Sequence, residues 1–292
     1  MPDYKPGNLG SSRCGSSVFR WGQRTYIMGV VNVSPDSFSC DGIGDAEEAV
    51  AKAKQLASEG ADIIDIGGES TRPNSTPVPT DEELRRVVPV VEKLATEVSV
   101  PLSVDTYKLE VARQALSAGA NMINDIWGLQ KEPGLAELAA QKGVPIVLMS
   151  NQRDSSCQDI IPAVVSDLKR AIKQALSAGV LWENIIVDPG IGFGKTQEQN
   201  LEVLQRLEEL KMLGRPILLG SSRKSFIGWV LDLTHEQRSN EVAFVPPGDP
   251  RLEGTAATIA IGIAKGADIV RVHDVREMAR VCKMSDAVVR GV

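Results

Sequence analysis

Six times along the chain, a stretch with helical spacing of apolar residues stops at a glycine, and a short apolar segment begins at once. The segments are Ala61 to Ile66 after Gly60, Ala120 to Asp125 after Gly119, Val144 to Met149 after Gly143, Val180 to Asp188 after Gly179, Arg215 to Gly220 after Gly214, and Ala267 to Val272 after Gly266. Each glycine fits the left-handed position that closes a helix. Before Gly60, Ala46, Ala49, Val50, Ala53, Leu56 and Ala57 follow the i, i+3, i+4, i+7 stripe, with Asp45 and Glu48 spaced as a capping pair. Ser166 to Ala178 repeats the pattern. Two further strands are expected at Tyr26–Asn32, which opens the series, and at 101–105, after a helix over 81–98. The pattern amounts to about eight strand–helix units, hence a parallel sheet covered by helices.

An open doubly wound sheet and a closed (β/α)8 TIM barrel both satisfy that pattern. The polar residues separate them, because strand after strand ends in a group able to do chemistry: Asn32, Asp65, Asp105, Asn124 with Asp125, Asp188, Arg223 with Lys224, and Arg271 with His273. Only a barrel brings all those ends to one mouth. The expected organisation is one barrel domain over 25–292, a poorly ordered Gly/Ser-rich tail over 1–24, and a proline-bearing surface insertion over 234–250.

The 292 residues are 42% hydrophobic and 24% charged, enough for a well-buried core. A net charge of −6 argues against nucleic acid as a partner. The longest apolar stretch, Ala256 to Val270, is broken by Lys265 and Asp268, and no signal-peptide core stands at the N-terminus, so no membrane span and a cytoplasmic location are expected. Cys14, Cys40, Cys157 and Cys282 lie far apart and read as free thiols, and two histidines are too few for a zinc site.

Asp188-Pro-Gly-Ile-Gly-Phe-Gly-Lys195-Thr196 has the look of a phosphate-cradling P-loop, but that motif needs glycine where Pro189 stands. Asp188 then either accepts paired N–H donors from a heterocycle or caps its own loop. The loops Asn32 to Phe38 and Gly67 to Pro73 are dense in turn formers, yet Phe38 and Arg72 suit a lid over a site as well as a plain turn. Gly220-Ser-Ser-Arg-Lys224-Ser225 offers an anion either backbone N–H groups with two cations or only a solvated charge pair. Arg271 and His273, two apart on the last strand, share a face and suit an anion better than a core. His235, in the polar insertion, reads as a surface residue.

With these residues in view, the chain resembles the dihydropteroate synthase family from about Tyr26 to Asp274, through IMGVVNVSPDSF, GADIIDIGGESTRP, PLSVDTY, INDIWG, VDPGIGFGKT, LLGSSRKSFIG and GTAATIAIGIAKGADIVRVHDV, in the family's order. The resemblance implies a (β/α)8 barrel, usually a homodimer, that joins dihydropterin-methyl diphosphate to 4-aminobenzoate and releases diphosphate. It implies a pterin pocket of Asp105, Asn124, Asp188 and Lys224 with apolar contact from Met149 and Phe193. It implies diphosphate against Asn32, Arg271 and His273, and Mg2+ on Asn32 and Asp36. Aminobenzoate would be enclosed by Pro35, Phe38, Thr71, Arg72 and Pro73, with Ser225 near its carboxylate. The residues implied in catalysis are Asp105, Lys224, Arg271 and His273, acting on a dissociative displacement through charge stabilisation. Two departures stand out: Ser150 follows Met149 where the family often has histidine, and Cys40 sits in the first loop. A methyltetrahydrofolate-binding methyltransferase barrel and a catalytically silent pterin-binding protein are the alternative readings.

Overall fold

Eight parallel strands, each followed by helical structure, form the centre of the molecule. The structure, a computed structural model, describes residues 9–33, 42–70, 76–154, 157–233 and 249–292. An antiparallel hairpin, β1 (Ser11–Cys14) and β2 (Ser17–Arg20), precedes the barrel strands β3 (Tyr26–Asn32), β4 (Ile63–Gly67), β5 (Leu102–Asp105), β6 (Met122–Asp125), β7 (Ile146–Met149), β8 (Ile185–Asp188), β9 (Leu218–Leu219) and β10 (Ile269–Val272). The sheet runs β8-β7-β6-β5-β4-β3-β10-β9, and a parallel bridge between Val187 and Ile217 closes it into the expected TIM barrel.

All six junction glycines adopt positive φ, between 64° and 119°, which a Cβ would oppose. Glycine therefore ends each helix, and the chain turns directly into the next strand. Outward-facing residues such as Ile64, Ile66, Val104 and Leu148 pack under the helices in one large core with Leu56, Val87, Leu94 and Leu168. Inward-facing residues two apart build two layers of opposite character. Met28, Ile63, Met122, Val147, Ile186, Leu218 and Ile269 form the lower, apolar layer. One step of two further along the same strands come Asp65, Asn124, Met149, Asp188 and Arg271, at the carboxyl ends.

The expectation of a poorly ordered tail to residue 24 is corrected, because Ser11–Arg20 is the hairpin that stops the amino-terminal end of the barrel. Burial alternates along β1, with Ser12 and Cys14 inward, and Gly15 takes the positive φ of the turn. Phe19, Trp21 and Tyr26 form an aromatic trio against the apolar layer, with ring centroids 4.8 to 5.6 Å apart. The indole N–H of Trp21 donates to Ser12 Oγ at 2.8 Å, and Asp286 accepts the backbone N–H of Thr25 at 2.7 Å. Composition suggested a tail; the aromatic residues and the period-two burial decide otherwise. Residues 1–8 lie outside the described residues, as do 234–248 of the expected insertion and His235 with them. The same holds for the side chain of Asp45, the expected cap.

Candidate active site

Alternation along each strand delivers the upper polar layer to one cavity. Arg271 donates from Nε to Asp65 Oδ2 and from Nη2 to Asp105 Oδ2, each at 2.6 Å, across the barrel mouth. Asn124 Nδ2 donates to the same Asp65 Oδ2 at 2.9 Å. A Cβ on Gly220 would lie 3.9 Å from Asp188 Oδ2 and 4.0 Å from Arg271 Cβ, so the eighth barrel strand and the carboxylate of the sixth meet over the seventh. Lys224 Nζ stands 4.2 Å above the Phe193 ring. Phe193, Met149 and Ile126 form a separate apolar cluster with Tyr107 and Trp127 against it, an apolar wall beside the polar edge.

Asp188 resolves its two readings by using its oxygens differently. Oδ1 accepts the Gly190 N–H at 2.6 Å and so caps the loop. Oδ2 faces the cavity side. That loop packs on the backbone of the strand before it: Gly190 has φ 71°, and a Cβ there would meet the Ser150 carbonyl oxygen at 2.0 Å. Lys195, the lysine of the false P-loop, is buried beneath it and donates to Gly190 O at 2.8 Å and Ser150 O at 3.2 Å. Thr196 forms a capping box with Gln199 on the following helix. Both motif residues thus shape the loop itself. The Ser150 hydroxyl is turned to Asp167 at 2.9 Å.

Burial sets the protonation of this site. It pushes Asp188 up to about 6 against the opposing Gly190 N–H, Lys224, Lys195 and Arg271. It lifts Asp105 above the ordinary carboxylate range, with Arg271 pulling back and Asp65 pushing further. Lys224 falls to about 8 through burial and the like charge of Arg271, with Asp188 and Asp105 opposing. The two carboxylates hold Arg271 firmly protonated despite its burial. His273 is driven well below its usual value by burial and by Arg223, Arg271 and Lys224. The expected second cation at the end of the last strand is therefore a neutral imidazole, with Nδ1 3.0 Å from Ser222 Oγ.

The cation pair after the seventh strand also divides. Lys224 faces the cavity, whereas Arg223, at φ 57°, pairs with Asp274 through Nε at 3.0 Å. Asn32 sits half-buried at the mouth, and Ser225 is exposed at the start of the helix Ser225–Val230. Pro35, Asp36, Phe38, Cys40, Thr71, Arg72 and Pro73 lie outside the described residues. Sequence reasoning gave no role to Ile126 or to Arg153, whose guanidinium lies 4.7 Å from the Phe193 ring that Lys224 also approaches. The apolar start of Ile126-Trp127-Gly128, just past a strand end, was the available signal for the first.

The barrel mouth thus combines an acceptor-rich edge, an apolar wall and the half-buried cation Lys224, a set that suits a planar, donor-bearing heterocycle carrying an anion. Residues 28–273 match the sequence profile of the pterin binding enzyme family, and the chain belongs to that family. It is 50% identical over 272 residues to dihydropteroate synthase of Bacillus subtilis strain 168, covering 93% of this chain and 91% of that protein. Among solved structures, dihydropteroate synthase from Clostridium difficile, determined in the presence of pteroic acid, superposes with a TM-score of 0.86 at 48% identity over 93% of this chain and 99% of that one. The Xanthomonas albilineans dihydropteroate synthase with 4-aminobenzoic acid gives a TM-score of 0.87 at 41% identity, over 97% and 98% of the two chains.

Proposed function

We infer that this chain is a dihydropteroate synthase, a transferase of folate biosynthesis that condenses (7,8-dihydropterin-6-yl)methyl diphosphate with 4-aminobenzoate. The observation that carries the reading is the convergence of Asp105, Asn124, Asp188, Lys224 and Arg271 on one cavity beside Phe193 and Met149. Asp188 Oδ2, Asp105 and Asn124 suit the pterin's N–H groups, Lys224 suits its carbonyl oxygen, and the apolar wall suits its face. The C–O bond to the leaving diphosphate breaks with its electron pair, leaving a methylene cation conjugated with the pterin. The aniline nitrogen then forms the C–N bond and releases its proton to solvent. When fully ionised, Asp65, Asp105 and Asp188 outnumber Arg271 and Lys224 by one, so the cavity favours developing positive charge.

That balance bears on the leaving group. Two carboxylates already outweigh the single charge of Arg271, so a diphosphate calls for a further cation. Asn32, a hard neutral oxygen donor at the mouth, fits Mg2+, which keeps most of its waters and takes few protein ligands. Asn32 and Asp36 would hold it, and it would neutralise charge on the departing oxygens. Arg271 Nη1 and neutral His273 would complete the anion side, and the first two loops with Ser225 would enclose aminobenzoate.

A homodimer belongs to this reading, since Trp229, Val230, Leu231 and Ile261 expose apolar surface near the packed helices Ser225–Val230 and Leu252–Ala264, which a second copy would cover. Cys14 and Cys282 are buried free thiols, and a cytoplasmic location belongs to this reading. Among the described residues no helix is long and apolar enough to cross a membrane. The test is diphosphate release from the pterin substrate with and without 4-aminobenzoate. Release that needs the arylamine is expected; pterin binding with no release at all would instead describe a silent binding protein.

A further inference from the structure

We propose that Asp65 is a positioning residue for the transfer, holding the heterocycle side and the leaving-group side of the cavity in fixed relation through a single oxygen atom. The proposal rests on the functional reading above. Asp65 is completely buried in the middle of β4, two residues beyond Ile63 of the apolar layer. Its Oδ2 accepts Arg271 Nε–H at 2.6 Å and Asn124 Nδ2–H at 2.9 Å, while Oδ1, equally buried, has no partner among the described residues. A carboxylate in that setting persists only because it is paired, so the two donors are drawn to it strongly.

Two consequences follow for groups that would meet substrate. The guanidinium of Arg271 is planar, and its Nε and Nη2 edge is committed to Asp65 and Asp105. The hydrogens of Nη1 and the second hydrogen of Nη2 have no partner among the described residues, and this end of the guanidinium is the one left for an anion. Asn124 can present either end of its amide, and the carboxylate fixes the choice. With Nδ2 turned to Asp65, the amide oxygen is left as acceptor for a ring N–H. Asp65 thereby sets the guanidinium plane and the amide orientation together, without touching substrate.

Asp65→Asn keeps the shape and removes the charge. The expected result is a fall in kcat of about thirtyfold, the size of one lost charge-assisted hydrogen bond, with the aminobenzoate KM within about twofold of wild type. Because Asp65 acts through Arg271 and Asn124 together, adding Asp65→Asn to the double variant Asn124→Ala/Arg271→Lys should slow it no further, within about twofold. A multiplied loss in that triple variant, a raised aminobenzoate KM, or unchanged kcat in Asp65→Asn would each overturn the proposal. Should Asp65→Asn fail to fold, Asp65→Glu takes its place: the longer carboxylate is expected to lower kcat at unchanged aminobenzoate KM, and wild-type kcat there overturns the proposal equally. If the wild-type protein itself releases no diphosphate, the functional reading fails first and is told apart from this one.

Discussion

Replacing Arg271 by alanine tests the electrostatics of the barrel mouth more sharply than any other single change. The side chain is one-fifth exposed and pairs with Asp65, which is fully buried, and with Asp105, which is 7% exposed. Removing one partner of a buried ion pair leaves uncompensated charge and commonly costs about 3–5 kcal/mol; the partial exposure of Arg271 argues for the lower end, about 3 kcal/mol. The cost should depend on pH. Burial already raises Asp105 in the folded protein, and Arg271 is the largest influence opposing that rise. Without it the carboxyl rises further, so the folded variant holds a proton that the unfolded chain, with a carboxylate near 4, has released. Stability associated with such a group is fully present below the unfolded pKa and is lost as pH climbs through the folded one. Each further unit of upward shift adds about 1.4 kcal/mol to the loss. Urea unfolding at about pH 5.5 and 8 is the assay, and the deficit of Arg271→Ala against wild type should be clearly larger at the higher value. Turnover, followed as diphosphate release, should fall by about a hundredfold or more while pterin binding, followed by direct titration, largely survives. An equal deficit at both pH values would show that the carboxylates are not its source, and equal losses in turnover and pterin affinity would refute the assignment of Arg271 to the leaving group.

Two further outcomes are expected. The kcat/KM for the pterin substrate should be bell-shaped, falling below about 6 as Asp188 takes up a proton and above about 8 as Lys224 loses one, and Lys224→Arg should move the alkaline limb upward; an unmoved limb would detach it from Lys224. Trp21→Ala should lower unfolding free energy by about 3–4 kcal/mol in urea without lowering kcat, because Trp21 is 6% exposed at the end of the barrel away from the site; a loss under about 0.5 kcal/mol would mean that the hairpin does not seal the core.

The alternation of helix, glycine and apolar strand is a local signal, and local chemistry suffices to write it. Gly119 ends a helix because the chain needs positive φ there, and the strand after it opens with Met122 and Ile123 because both its faces are buried. Strand-end chemistry was legible for the same reason: Asp105, Asn124, Asp188 and Arg271 stand two residues beyond an inward-facing position on their strands. Composition, by contrast, misled at the N-terminus. Glycines and serines around Gly15 read as a tail, whereas Phe19 and Trp21 find an apolar layer that exists only once the eight barrel strands have closed.

The sequence by itself determined the eight-unit order and the polar side chains that gather at the barrel mouth. Tertiary structure alone decided how those residues are shared: Lys224 inward but Arg223 onto Asp274, His273 neutral, and one oxygen of Asp65 serving two partners. Backbone turns and strand periodicity depend on neighbours a few residues away and so are written in the chain. Charge pairing and desolvation depend on groups some sixty to two hundred positions apart, and these have no relation until the barrel closes.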